Sequence, residues 1–155
     1  MKLTSFLPKE AIGIQLKSRT GEEVLRELAS YLCEADPSLS INEVYNVLEE
    51  REKLGSTGIG AGIAIPHGKL AQSKKMIAAF GRSKSGIDFQ SQDGELTHLF
   101  FALIAPENAA GMHLKILAKL SRLLKDKHFR EKLLEAKNAD EVFTILSEED
   151  SKNSN

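Results

Sequence analysis

One histidine closing a glycine-rich segment carries the clearest chemical signal in this chain. The run Gly55-Ser56-Thr57-Gly58-Ile59-Gly60-Ala61-Gly62-Ile63-Ala64-Ile65-Pro66-His67-Gly68 contains five glycines and ends on His67, set between Pro66 and Gly68. The proline ring fixes the backbone on one side of the imidazole, and glycine leaves the other side open to a bulky group. A neutral imidazole has a nucleophilic nitrogen, and successive N–H groups free of side chains suit an anion. Together they predict phosphoryl chemistry at His67, with the loop N–H groups as the anion cradle. A histidine buried for packing alone needs no such neighbours, because glycines cost conformational entropy unless the backbone or a ligand requires them. Ile59, Ile63 and Ile65 are expected to offer apolar surface beside the acceptor.

Other chemistries fit less well. Gly58, Gly60 and Gly62 mimic a dinucleotide fingerprint, but that motif leaves a strand and opens a helix, and Ile63 stands where its third glycine belongs. Gly68-Lys69 is followed by Leu70, so there is no P-loop, and no G-x-S-x-G elbow exists for a hydrolytic serine. The four histidines, His67, His98, His113 and His128, include no pair at short zinc-site spacing, and Cys33 is the only cysteine. No metal, cofactor or intrachain disulfide is expected. His98 reads as an edge or hydrogen-bonded residue, His128 as a solvated helix-boundary residue and Cys33 as an inert thiol on a helix's apolar side.

The elements that must position His67 follow from periodicity. Ile12, Ile14 and Leu16 alternate as in a half-buried strand. Thr20 with Glu23 forms a capping box for a helix whose apolar face is Val24, Leu25, Leu28, Ala29 and Leu32, ending at Asp36-Pro37. Ser40 with Glu43 opens a second helix through Val44, Val47 and Leu48, so Arg51 falls in its last turn and Gly55 caps it. Short strands are predicted at Met76–Phe80 and Ile87–Phe89, with turns at Gly81, Gly86 and Gly94, and a central strand at Leu99–Ala105. A helix carrying Leu114, Leu117, Leu120, Leu123 and Leu124 follows, with His113 in its first turn, then short helices near Phe129–Leu134 and Ala139–Leu146.

These elements predict a single α/β domain, a small mixed β-sheet flanked by α-helices, over residues 1–146, with a disordered tail over 147–155. At 155 residues and 41% hydrophobic content the chain can bury a substantial core. A net charge of −1 gives no footprint for nucleic acid, and no apolar run is long enough to span a bilayer. The amino terminus lacks the apolar stretch of a signal peptide, so a cytoplasmic protein is expected.

Glu52, with Ile59-Gly60-Ala61-Gly62-Ile63-Ala64-Ile65-Pro66-His67-Gly68 at the matching distance, resembles the phosphorylation-site motif of fructose/mannitol-class enzyme IIA domains of the phosphotransferase system. The likeness runs from about Leu3 to Leu146, and the Leu54–Gly60 variant with Pro66-His67-Gly68-Lys69 is most similar to the nitrogen-regulatory branch. It implies a mixed sheet of about five strands. It also implies that His67 takes a phosphoryl group on Nε2 from an HPr-like histidine phosphocarrier, itself charged from phosphoenolpyruvate by an enzyme I-type kinase. His113, in His113-Leu114-x-x-Leu117, is implied as the second active-site histidine, and Arg51 and Thr57 as phosphate-binding residues. Ala61 stands where relatives often carry asparagine. The resemblance implies regulatory target proteins in the nitrogen-regulatory branch, or a IIB partner in sugar uptake.

Overall fold

The apolar run around Leu99–Ala105 is the axis on which the molecule is built. In the computed structural model, which describes residues 2–152, the strands are β1 (Ile12–Gly13), β2 (Gly58–Gly60), β3 (Ile63–Ala64), β4 (His67–Lys69), β5 (Ile77–Ile87) and β6 (Thr97–Ala105). The helices are α1 (Gly21–Ala35), α2 (Ile41–Lys53), α3 (Ala110–Leu124), α4 (Lys127–Glu135) and α5 (Ala139–Lys152), preceded by short 3₁₀ turns at Leu3–Ser5 and Lys9–Ala11. They form one domain around a six-stranded mixed sheet ordered β1-β5-β6-β3-β2, in which β4 also pairs with β6. Both β3 and β4 run parallel to β6, the first opposite Leu99 and Phe100, the second opposite Leu103 to Ala105. The antiparallel β5 takes the other side of β6.

Burial on both faces explains why β6 reads as an unbroken apolar run rather than an alternating one. Leu99, Phe101, Leu103 and Ala105 pack with residues of α3, α4 and α5, while Phe100, Ala102 and Ile104 pack with those of α1 and α2. The capping box at Thr20 is present, with Glu23 N–H donating to the Thr20 hydroxyl at 3.1 Å and Thr20 N–H donating to the Glu23 carboxylate at 3.2 Å. Ser40 likewise accepts from Glu43 N–H at 3.4 Å.

Three expectations are corrected. The two short strands around Gly81 are one strand, β5, because Gly81 is no turn: a Cβ there would lie 2.8 Å from Leu16 Cδ1, so glycine serves close packing. The register shift falls later, between Arg82 and Ile87, where Gly86 has φ +85°. Of the expected strand at Ile12–Leu16 only Ile12 and Gly13 form a ladder, opposite Phe80 and Gly81.

The expected disordered tail is helical as far as it is described, for α5 runs to Lys152; residues 153–155 lie outside the described residues. Its anchor is polar. Asp150 is 3% exposed, and its carboxylate accepts from Leu3 N–H at 2.8 Å, Thr4 N–H at 3.1 Å and the Thr4 hydroxyl at 3.0 Å. Lys119 of α3 donates to the same group at 3.4 Å. A charge so fully partnered can be buried, which an apolar count does not register.

Candidate active site

The end of α2, the start of β4 and the first turn of α3 converge on one cleft of about 520 Å³. Its lining includes Arg51, His67 and His113 together with Glu50, Leu54, Lys69 and Leu114. Pairing with Leu103 of β6 fixes His67 at the head of β4. The next residue must be glycine, because a Cβ on Gly68 would fall 2.2 Å from Val47 Cγ1 of α2. This contact seats α2, and with it Arg51, directly against the strand that carries His67.

His67 is oriented by its own backbone: Nδ1 lies 2.8 Å from the carbonyl oxygen of Ile65. A carbonyl can only accept, so Nδ1 carries the proton and Nε2 keeps its lone pair. Burial holds the His67 pKa below the usual histidine range, with Arg51 acting in the same direction and the Ile65 carbonyl opposing it. The ring is therefore neutral near pH 7.

His113 stands edge-on to His67, with ring centroids 5.4 Å apart and planes at 73°. It is 5% exposed, and its Nε2 is buried with no hydrogen-bond partner. Burial, the His67 ring and the Lys69 ammonium push its pKa down to about 4. A buried ring nitrogen left unpaired beside a second histidine is suited to a ligand atom that arrives there. Arg51 uses one guanidinium N–H on the Gly55 carbonyl at 2.9 Å, which steadies the side chain while leaving other donors of its fork. α3 begins without a capping side chain, and its first residue, Ala110, lines the cleft. Its N-terminal N–H groups add a favourable field for an anion.

The structure thus brings Arg51, His67 and His113 together, but not Thr57. That side chain is buried, its hydroxyl donates to the Glu52 carboxylate, and it does not line the cleft. Nor is the whole glycine loop free to cradle an anion, for several N–H groups here are spent internally: Thr57 N–H on Glu52 at 3.0 Å, Gly58 N–H on the Ser56 hydroxyl at 3.0 Å, Ala61 N–H on Asp93 at 3.0 Å and Ile65 N–H on the Thr57 carbonyl at 3.0 Å. Gly60 and Gly62, at φ +91° and +78°, instead turn the β2–β3 hairpin.

The apolar surface at the cleft also differs from expectation. Ile63 and Ile65 are buried, whereas Leu54 and Leu114 are 84% and 68% exposed on its wall. Residue type and spacing pointed to none of Leu54, Lys69 and Leu114, nor to the bonds made by Glu52, since all of these depend on which segments meet. Among the described residues, no group of three His, Cys, Asp or Glu side chains could hold a metal ion, and no helix is long and apolar enough to cross a membrane. His98 is hydrogen-bonded, Nδ1 to the Ser83 carbonyl at 3.0 Å, and His128 is exposed in the first turn of α4.

Comparison with known proteins places the chain in a family. The family model described as "Phosphoenolpyruvate-dependent sugar phosphotransferase system, EIIA 2" matches residues 5–149. A nitrogen regulatory protein of Bradyrhizobium diazoefficiens is 40% identical over 147 residues, 95% of each chain. A fructose-specific EIIABC component of Bacillus subtilis is also 40% identical, over 151 residues that make up 97% of this chain and 24% of that protein. The crystal structure of nitrogen regulatory protein IIA-Ntr from Neisseria meningitidis superposes with a TM-score of 0.86 at 39% identity, covering 92% of this chain and 97% of that one. With matches spanning nearly its whole length, the chain belongs to the EIIA 2 family of the phosphoenolpyruvate-dependent sugar phosphotransferase system.

Proposed function

We propose that the protein is a phosphohistidine-carrying regulator of a nitrogen-type phosphotransferase system, working in the cytoplasm. His67 takes the phosphoryl group of an HPr-like carrier, and its phosphorylation state controls partner proteins. The single observation that carries this reading is the anchoring of His67 Nδ1 on the Ile65 carbonyl, which leaves Nε2 unprotonated beside His113 and Arg51.

The transfer exchanges one nitrogen–phosphorus bond for another. The Nε2 lone pair forms the new bond to phosphorus as the bond to the carrier's imidazole breaks, and the carrier nitrogen leaves with the electron pair. Charge builds on the three equatorial oxygens in a largely dissociative transition state, so catalysis rests on positioning and electrostatic stabilisation. Arg51 contributes a planar donor fork, and the unpaired His113 Nε2 is a partner for a phosphoryl oxygen. His113 serves as a donor there when its Nε2 carries the proton. By analogy with other phosphorylated side chains, the product adds about −1.5 to −2 charges, here beside the exposed Leu54 and Leu114. A charge placed on an apolar docking face is a direct means of changing partner affinity.

Mass spectrometry at neutral pH, after incubation with phosphoenolpyruvate, enzyme I and an HPr-like carrier, tests the acceptor. One phosphoryl group is expected on the wild-type chain and none on His67→Ala; a full phosphoryl addition retained by His67→Ala refutes the assignment. A second reading, a sugar-specific IIA component passing its phosphoryl group to a IIB partner, is favoured by the equally similar fructose-specific protein of Bacillus subtilis. Rapid loss of label from the phosphorylated protein to a purified fructose-type IIB domain would support that reading over the regulatory one.

A further inference from the structure

We infer that Glu52 is a positioning residue for the His67 acceptor, acting through Thr57 and Ile65; the inference rests on the acceptor role proposed for His67. Glu52 lies in the last turn of α2, next to Arg51. Its two carboxylate oxygens divide the work: one accepts the Thr57 N–H at 3.0 Å and the other accepts the Thr57 hydroxyl. Thr57 is thereby held through backbone and side chain at once. The Thr57 carbonyl in turn accepts the Ile65 N–H at 3.0 Å, and the Ile65 carbonyl lies 2.8 Å from His67 Nδ1. A continuous series of hydrogen bonds therefore joins the Glu52 carboxylate to the reactive imidazole.

The Ile65 side chain packs in the core, while the backbone between β3 and His67 is held by two hydrogen bonds. Ala64 is the last residue of β3, and Pro66 has no N–H to donate. The Pro66 carbonyl accepts from Leu103 N–H at 2.9 Å, fixing the carboxyl side of this short stretch. Its amino side is fixed by the Ile65 N–H on Thr57, so the direction of the Ile65 carbonyl depends on where Glu52 holds Thr57. That direction sets both the tautomer and the tilt of His67. Because Glu52 and Arg51 are consecutive on one helix, the same carboxylate also ties the arginine's helix end to the loop that aims the histidine. Burial holds the Glu52 pKa above the usual carboxylate range, with the Thr57 bonds opposing it.

The test measures His67 directly and separately from phosphorylation. Imidazole ¹⁵N–¹H NMR of the unphosphorylated protein reads the tautomer, and labelling by the phosphorylated HPr-like carrier reads the rate. The wild-type chain is expected to hold His67 as the Nδ1–H tautomer. Glu52→Ala is expected to give a mixture of tautomers and labelling slowed by about 10- to 100-fold, the range expected of a small misplacement of the nucleophile. Thr57→Val keeps the backbone bond and should fall between the two, whereas Glu52→Gln, which can still accept the Thr57 N–H, should recover the wild-type tautomer and most of the rate.

A Glu52→Ala protein that is less stable but keeps the wild-type tautomer and rate would overturn the inference, leaving Glu52 a structural clip. If Glu52→Ala does not fold, Thr57→Val decides, and a wild-type tautomer and rate in that variant overturns the inference equally. A wild-type chain that takes no label from the carrier would instead refute the proposed function, with the tautomer series still interpretable.

Discussion

Gly68→Ala should damage the site from the strand that carries His67. The new Cβ would lie 2.2 Å from Val47 Cγ1, whereas carbon atoms in contact sit about 3.5–4.0 Å apart. Roughly 1.5 Å of separation has to come from somewhere. Val47 cannot supply it by rotating, since a helical valine has essentially one χ1 rotamer. The displacement must pass into the backbone of α2 or β4, which carry Arg51 and His67. Overpacking of this kind costs about 1–3 kcal/mol, and a shift of about 1 Å at a reacting group slows transfer by about 100-fold.

Val47→Ala removes the offending methyl, after which the nearest contacts of the new Cβ, Val47 O at 3.5 Å and Val47 Cβ at 3.6 Å, are ordinary. The double variant Gly68→Ala/Val47→Ala should therefore be about as stable as Val47→Ala alone, and its transfer rate should approach that of Val47→Ala. Urea unfolding of the four proteins, with labelling rates measured in parallel, completes a double-mutant cycle. A coupling of about 1–3 kcal/mol is expected, and effects that add to within about 0.5 kcal/mol would refute the packing argument.

Ala61 has φ +56°, so Ala61→Gly relieves left-handed strain of about 1–2 kcal/mol against an unfolded-chain entropy cost of about 0.4–1 kcal/mol. The midpoint of urea unfolding should rise accordingly, and a lower midpoint would refute the strain. The unfolded chain protonates His113 near its ordinary pKa, while the folded chain resists until about pH 4. Stability should therefore fall as pH drops from about 6.5 toward 4. His113→Gln should make that limb shallower, with His67 supplying the remainder, and an unchanged pH slope in this variant would show that His113 does not contribute to it. In phosphoryl transfer, His113→Ala should slow the rate by about 100- to 1,000-fold if it acts like one oxyanion-hole donor. Arg51→Lys should slow it too, because a point charge replaces a planar fork; rates equal to wild type in both variants would remove these residues from the mechanism.

Much of this molecule is legible from local pattern, because local pattern has local causes. The capping box at Thr20 is written in two residues three apart, and its hydrogen bonds close within one turn whatever packs above them. The nine-residue strand β6 shows as an apolar run because helices cover both its faces. His67 stands out by residue type and neighbours, although Arg51 and His113 entered through family resemblance rather than through spacing. The glycines mark where the chain alone misleads: positive φ at Gly60 and Gly62, and contact with Val47 at Gly68, look identical in a sequence. Which N–H groups remain free for a ligand depends on acceptors distant along the chain, such as Asp93 opposite Ala61. The same holds for Asp150, whose burial among Leu3, Thr4 and Lys119 makes helix out of a polar segment with no apolar signature. Periodicity records the interactions a segment makes with itself and the side it turns to the core; contacts between remote segments, such as Ala61 with Asp93, Leu3 with Asp150 and Gly68 with Val47, exist only once the chain has folded.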